Sequence, residues 1–144
     1  MTTNAPPHVR PEPLGGYAYA RRAGGLLFIS GMGPRRAGSP DIPGVVRDAS
    51  GAIASYDIEV QAHACFENVR ACLEAEGSSL DHVVDVLAFL VDLRRDFQGW
   101  NRVWAARFPD PRRAPTRTTI EVSRLPQGGS TPIHIELKVV AAIA

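Results

Sequence analysis

Asp81–Leu93 reads DHVVDVLAFLVDL, a nearly unbroken apolar run with a β-branched bias. A strand with one wet face alternates polar and apolar residues, whereas a run of this kind suits a strand covered on both sides. The stretch belongs near the centre of a sheet, and the elements around it must supply the cover.

Just before it, Ile58, Ala62, Cys65, Phe66, Val69, Cys72 and Leu73 recur at three- and four-residue steps between Tyr56 and Glu76, with polar residues between them. That spacing predicts an amphipathic helix, with Asp57 or Ser55 as its N-cap and Gly77 placed to end it in a left-handed conformation. Just after it, Phe97, Trp100, Val103, Trp104 and Phe108 hold helical spacing over Asp96–Arg107, and Pro109 and Pro111 close the element. Farther out, Tyr17–Arg21 and Leu26–Ser30 form a hairpin around Ala23, Gly24 and Gly25. Thr116–Val122 and Ile133–Ala142 are the last two strands, separated by the turn-rich SRLPQGGSTP. Between Met32 and Ile53 the composition shifts to Gly, Pro, Arg, Asp and Ser, which suits an irregular excursion holding at most a short strand. The order β-β-(loop)-α-β-α-β-β gives an α+β fold, with two helices on one face of a mixed sheet that is six-stranded when the excursion contributes. The other face stays apolar, and association with further copies would cover it.

The 144 residues and 44% hydrophobic content suit one domain, read as residues 15–144 behind a proline-rich lead-in, residues 1–14, expected to be flexible. Sixteen Lys and Arg against fifteen Asp and Glu leave a net charge of +1, which provides no basic field for nucleic acid. No apolar run approaches the roughly 20 residues that span a bilayer. The N-terminus lacks the layout of a signal peptide, so a cytoplasmic protein without membrane contact is expected. Cys65 and Cys72 stand seven residues apart on the first helix, ~10.5 Å between Cα atoms, too far for a disulfide. Both read as reduced packing residues.

No phosphate loop, GxGxxG, GxSxG or histidine pair at metal spacing occurs, so neither a metal nor a cofactor is expected. His8, His63 and His82 have no companion and read as solvated, whereas His134 has Glu136 close by in sequence. Arg117, within PTRTTIEV (Pro115–Val122), and Glu136 are charged residues set inside the two terminal strands, read as neighbours. Two readings stay open. One is a structural ion pair or a solvent-facing alternation. In the other, the guanidinium grips a carboxylate bidentately while the glutamate orients or deprotonates a water.

GGYAYA, LLFISG, FENVRACLEAEG, DVLAFLVDL, Asn101, PTRTTIEVSRLP and IELKVVA, in that order, resemble the Rid family of reactive-intermediate deaminases over about Gly15–Ala142. The resemblance implies a chorismate-mutase-like fold, a homotrimer, and cofactor-free sites for small carboxylates in the clefts between subunits. It assigns the carboxylate clamp to Arg117, the residue guiding the attacking water to Glu136, and lining positions to Tyr17, Ser30, Gly31 and Asn101. Thr119, a further substrate-binding position, stands where the family pattern has a cysteine, and Gly16 where it has a proline. Within the family, Ser30-Gly31, Arg35-Arg36, Gly44-Val45, Asp48 and Gly51, together with Pro115–Thr119 and Ile135–Lys138, are similar to the 2-aminomuconate deaminases. That likeness implies hydrolysis of 2-aminomuconate, with Arg35 or Arg36 meeting the second carboxylate. A general 2-imino acid deaminase and a non-catalytic metabolite-binding trimer are the alternatives.

Overall fold

A computed structural model describes residues 8–126 and 132–143. The elements run β1 (Ala20–Ala23), β2 (Leu26–Met32), β3 (Val45–Arg47), β4 (Ile53–Tyr56), α1 (Ile58–Ala75), β5 (Val83–Leu90), α2 (Leu93–Arg107), β6 (Thr116–Glu121) and β7 (Ile135–Ala142). The main sheet has the order β1-β2-β7-β5-β6, with β5 and β6 parallel and the other pairs antiparallel. The apolar run at 81–93 thus supplies a strand flanked on both sides, one place from the edge. Its alternate residues Val86, Ala88 and Leu90 are fully buried with Leu137, Val139, Ile29 and Leu27 against the helices.

Local chemistry fixes the helix ends. The Asp57 carboxylate accepts from the backbone N–H groups of Glu59 and Val60, which makes it the N-cap of α1, and Gly77 takes φ +77° just beyond the last turn. The run 81–93 does not stay extended to its end: Asp92 accepts from the backbone N–H of Arg95 and starts α2 at Leu93, three residues ahead of the periodic stretch. Cys65 and Cys72 are free and buried among the core side chains.

Three expectations need correcting. Among the described residues the main sheet has five strands, not six. The excursion forms two short strands, β3 and β4, that pair with each other. Their ladder is held against the start of α1, where Asp57 N–H donates to Gly44 O, so it does not extend the sheet edge. Gly44 has φ +77°, and a Cβ there would fall 2.9 Å from the Asp57 carbonyl oxygen, so only glycine permits this approach. Second, the first strand starts at Ala20 instead of Tyr17, leaving Tyr17 exposed ahead of it. Third, the two terminal strands are not neighbours, because β5 lies between β6 and β7.

Residues 8–14 form no helix or strand but are tied to the body: His8 Nε2 lies 2.8 Å from Asn68 Oδ1, the Arg10 guanidinium sits 4.0 Å from the Tyr19 ring centre, and Pro11 is buried. In the turn-rich loop, Gln127–Thr131 lie outside the described residues.

Candidate active site

Strand register decides where the candidate residues point. Residues paired across a sheet share a face, and successive residues alternate. Arg117 pairs with Val86, which pairs with Val139, so its side chain leaves on the helix-covered face. Glu136 pairs with Phe89, which pairs with Ile120, and so stands on the opposite, open face. Within one chain the arginine and the glutamate cannot form the ion pair that the sequence left open.

The helix-side group is built on the β6 edge and on α2. The Arg117 guanidinium lies 5.1 Å from the ring centre of Trp104, 5.8 Å from that of Trp100 and 5.9 Å from that of Phe97. Positions 97, 100, 101 and 104 share one stripe of α2, so Asn101 stands in the same row as the rings that face Arg117. The hydroxyl of Thr119, two residues along the same face, accepts from Trp100 Nε1 at 3.0 Å. Arg117 has no carboxylate or hydrogen-bond acceptor among the described residues, and burial pulls its pKa down. A guanidinium desolvated by aromatic rings and left without an anion is prepared to receive one.

The open-face group is built where β2 meets β7. The β2–β7 register shifts between Ile29 and Met32, and this bulge brings Gly31 over Glu136. A Cβ on Gly31 would fall 2.8 Å from Glu136 Cδ, so the missing side chain is what makes room for the carboxyl. Ser30 donates its hydroxyl to Ala18 O at 2.5 Å, and its N–H goes to Tyr19 O, which aligns the segment carrying Tyr17 along this part of β2. Glu136 has no ionic or hydrogen-bond partner among the described residues, and burial raises its pKa. A carboxyl tuned upward by desolvation is a stronger base when ionised and is suited to taking a proton from water.

The remaining candidates lie apart. Arg35 donates to Glu12 O, and Arg35 and Arg36 line a groove of about 340 Å³ with His8, Pro43, His63 and Glu67 against α1, on the helix side and away from Glu136. His134 does not partner Glu136. Its ring stacks on Tyr56 with centroids 3.5 Å apart, and its Nδ1 lies 3.0 Å from Gln61 Nε2. His63 accepts from Arg107, and His82 lies 2.9 Å from the Ser79 hydroxyl. Among the described residues no group of three His, Cys, Asp or Glu is placed to hold a metal ion, and no helix is long and apolar enough to cross a membrane. Sequence reasoning missed the ring cluster around Arg117, although the spacing of Phe97, Trp100 and Trp104 was its signal: that spacing reads only as the period of a helix.

The fold is a mixed α+β sheet with two helices, carrying on an edge strand an arginine, and beside a glycine bulge a glutamate, neither of which has an ionic partner among the described residues. Residues 7–143 match the family model described as Endoribonuclease L-PSP, and the chain belongs to that family. It is 36% identical over 131 residues to a RutC family protein of Pyrococcus horikoshii, covering 91% of this chain and 90% of that one. It is 31% identical over 124 residues to Reactive Intermediate Deaminase A, chloroplastic, of Arabidopsis thaliana, covering 86% of this chain and 59% of that protein. The crystal structure of E. coli TdcF with bound serine superposes with a TM-score of 0.71 at 27% identity, covering 94% of each chain. The Rid assignment is thereby supported, and some relatives carry the name of deaminases. A mitochondrial relative from Schizosaccharomyces pombe stands beside the chloroplastic one, so relatives work in more than one compartment.

Proposed function

We propose that this protein is a cofactor-independent deaminase of enamine and imine carboxylates, and that 2-aminomuconate is its substrate. The observation that carries the reading is the pair of opposite charges, Arg117 and Glu136, each desolvated, neither with an ionic partner among the described residues, and set on opposite faces of one sheet. A structural ion pair would have brought them together. Two half-sites facing apart are completed when Arg117 of one copy and Glu136 of the next meet across an interface, in keeping with the homotrimer we assign.

The chemistry balances without a redox partner. The enamine takes a proton on carbon and gives up one from nitrogen, becoming an imine; Arg117 holds the carboxylate next to the imine carbon. Water forms its bond to that carbon while Glu136 accepts the water proton, and the nitrogen takes up a proton. Collapse of the carbinolamine forms the carbonyl and expels ammonia, leaving a 2-oxo acid. Positioning and general-base catalysis suffice for an electrophile as reactive as an imine, proton transfer being worth roughly 10²–10⁴-fold. The reading extends to Arg35 and Arg36 as the clamp for the second carboxylate, a role that requires them to face a site other than the groove they line in their own chain.

The second reading, a general 2-imino acid deaminase, is favoured by the serine in TdcF and by the name of the Arabidopsis relative. Ammonia release from 2-aminomuconate and from 2-iminopropanoate, measured side by side, separates the two. Wild type is expected to prefer 2-aminomuconate, and folded Arg117→Ala to lose at least about 10²-fold in kcat/KM. An unchanged rate in Arg117→Ala would sink the assignment.

A further inference from the structure

We infer that Trp104, with Phe97, forms an aromatic wall beside Arg117 that selects planar, conjugated carboxylates over saturated ones. The inference rests on the proposed carboxylate site at Arg117 and adds the feature that sets its specificity. Arg117 is surrounded by rings: Trp104, Trp100 and Phe97 all lie within 6 Å of its guanidinium carbon. The rings differ in exposure. Trp100 is fully buried, while Trp104 and Phe97 keep part of their surface open.

The wall is fixed in place. Trp100 is pinned by its hydrogen bond to Thr119, on the same strand as Arg117, and lies 5.8 Å from core residue Phe66 in a stacked arrangement. Trp104 packs edge-on to Trp100 at 5.7 Å and against Phe108 at 4.6 Å. An unbroken chain of aromatic contacts thus runs from the core to the open side of Trp104. A carboxylate gripped by Arg117 has its substituent beside this rigid apolar surface. A conjugated chain is flat, has few rotors to freeze and can lay its π face on a ring. A saturated chain of equal length loses rotational freedom and offers no π face, and a methyl group covers little of the wall. A small saturated imino acid needs no such surface, whereas a dienoate uses all of it.

Trp100 and Trp104 are the two tryptophans of the sequence, so tryptophan emission, excited beyond the absorption of the three tyrosines, reports on this site alone. The full-length protein is titrated with muconate and with adipate, six-carbon diacids that differ in conjugation. Saturable quenching is expected, with muconate binding about tenfold tighter than adipate, the size of one aromatic stacking contact. Trp104→Leu is expected to erase that preference, read from the remaining Trp100, while Trp104→Phe keeps most of it. Equal affinities, a preference that survives Trp104→Leu, or no binding of either acid would overturn the inference. Should Trp104→Leu not fold, Phe97→Leu with both tryptophans present must narrow the ratio by at least about threefold, and an unmoved ratio there is equally fatal. Ammonia assays keep the two ideas apart. A muconate preference with no ammonia from any imine removes the deaminase and leaves the wall. Ammonia released with equal kcat/KM from conjugated and saturated imines does the reverse.

Discussion

At the scale of single residues, the informative feature is charge without a partner. Burying an ionised group uncompensated costs free energy, and Glu136 registers that cost as a raised pKa. The sign follows directly. A glutamate whose folded pKa lies above its unfolded value leaves the protein comparatively stable below the ordinary glutamate range, and the destabilisation grows as pH rises through the raised folded value. In the dissociated subunit, where no neighbour's Arg117 faces the carboxyl, Glu136→Gln is therefore expected to stabilise the fold at pH 7 by about 1 kcal/mol, with the gain vanishing on acidification. Ammonia release should fall by roughly 10²–10⁴-fold in the same variant. Thermal melts of the dissociated subunit at pH 7 and pH 4, beside the assay on the assembled protein, check both, and a variant subunit less stable at pH 7 than wild type would contradict the reading of Glu136 as a charge without a partner in its own chain. Both charges were legible in the sequence, since Arg117 and Glu136 stand out within β-branched runs. Their separation was not, because which face a side chain takes depends on register with β5, and register is not written in either strand alone.

At the scale of elements, the signals that survived were those with local chemistry. Asp57 and Gly77 mark the ends of α1 because a cap needs only its own turn, whereas the start of α2 moved to Leu93 because Asp92 caps ahead of the apolar stripe. The excursion at 32–53 gave no periodicity, and its strands β3 and β4 exist only because each has the other. The bulge in β2 was equally hidden, yet it places Gly31 against Glu136. Gly31→Ala puts a methyl group 2.8 Å from the end of a flexible side chain, which can swing aside at little cost. The fold should lose less than about 1 kcal/mol, while displacement of the carboxyl lowers kcat/KM by about tenfold or more. Denaturant midpoints beside steady-state kinetics test this; full activity in Gly31→Ala would show that the bulge does not set the position of Glu136.

At the scale of the whole molecule, the open face of the sheet demands an explanation that one chain does not contain. Phe28 at 40% and Ile120 at 39% relative exposure lie on it, with Leu87, Phe89 and Val140 part-buried between them. Fully burying side chains of this size is worth about 1.5–3 kcal/mol each, and since less than half of each is still exposed, covering the rest is worth roughly 1 kcal/mol apiece or less, a gain that a cover of further copies would collect. The same face carries Glu136, while Arg117 leaves from the other side at the sheet edge. Closed symmetry that repeats one interface would bring the Arg117 half-site of each copy to the Glu136 half-site of the next. Sharing of this kind has a consequence that no intrachain site can imitate. Arg117→Ala and Glu136→Gln proteins, each inactive alone, are unfolded together and refolded as an equimolar mixture. A site is intact wherever a subunit retaining Arg117 precedes one retaining Glu136, half of the subunits multiplied by half of their neighbours, so recovery of roughly a quarter of wild-type activity is expected. Ammonia release from the mixture measures it, with separately refolded proteins as the baseline. A mixture no more active than that baseline would return the whole site to a single chain and remove the reason for the two charges to face apart.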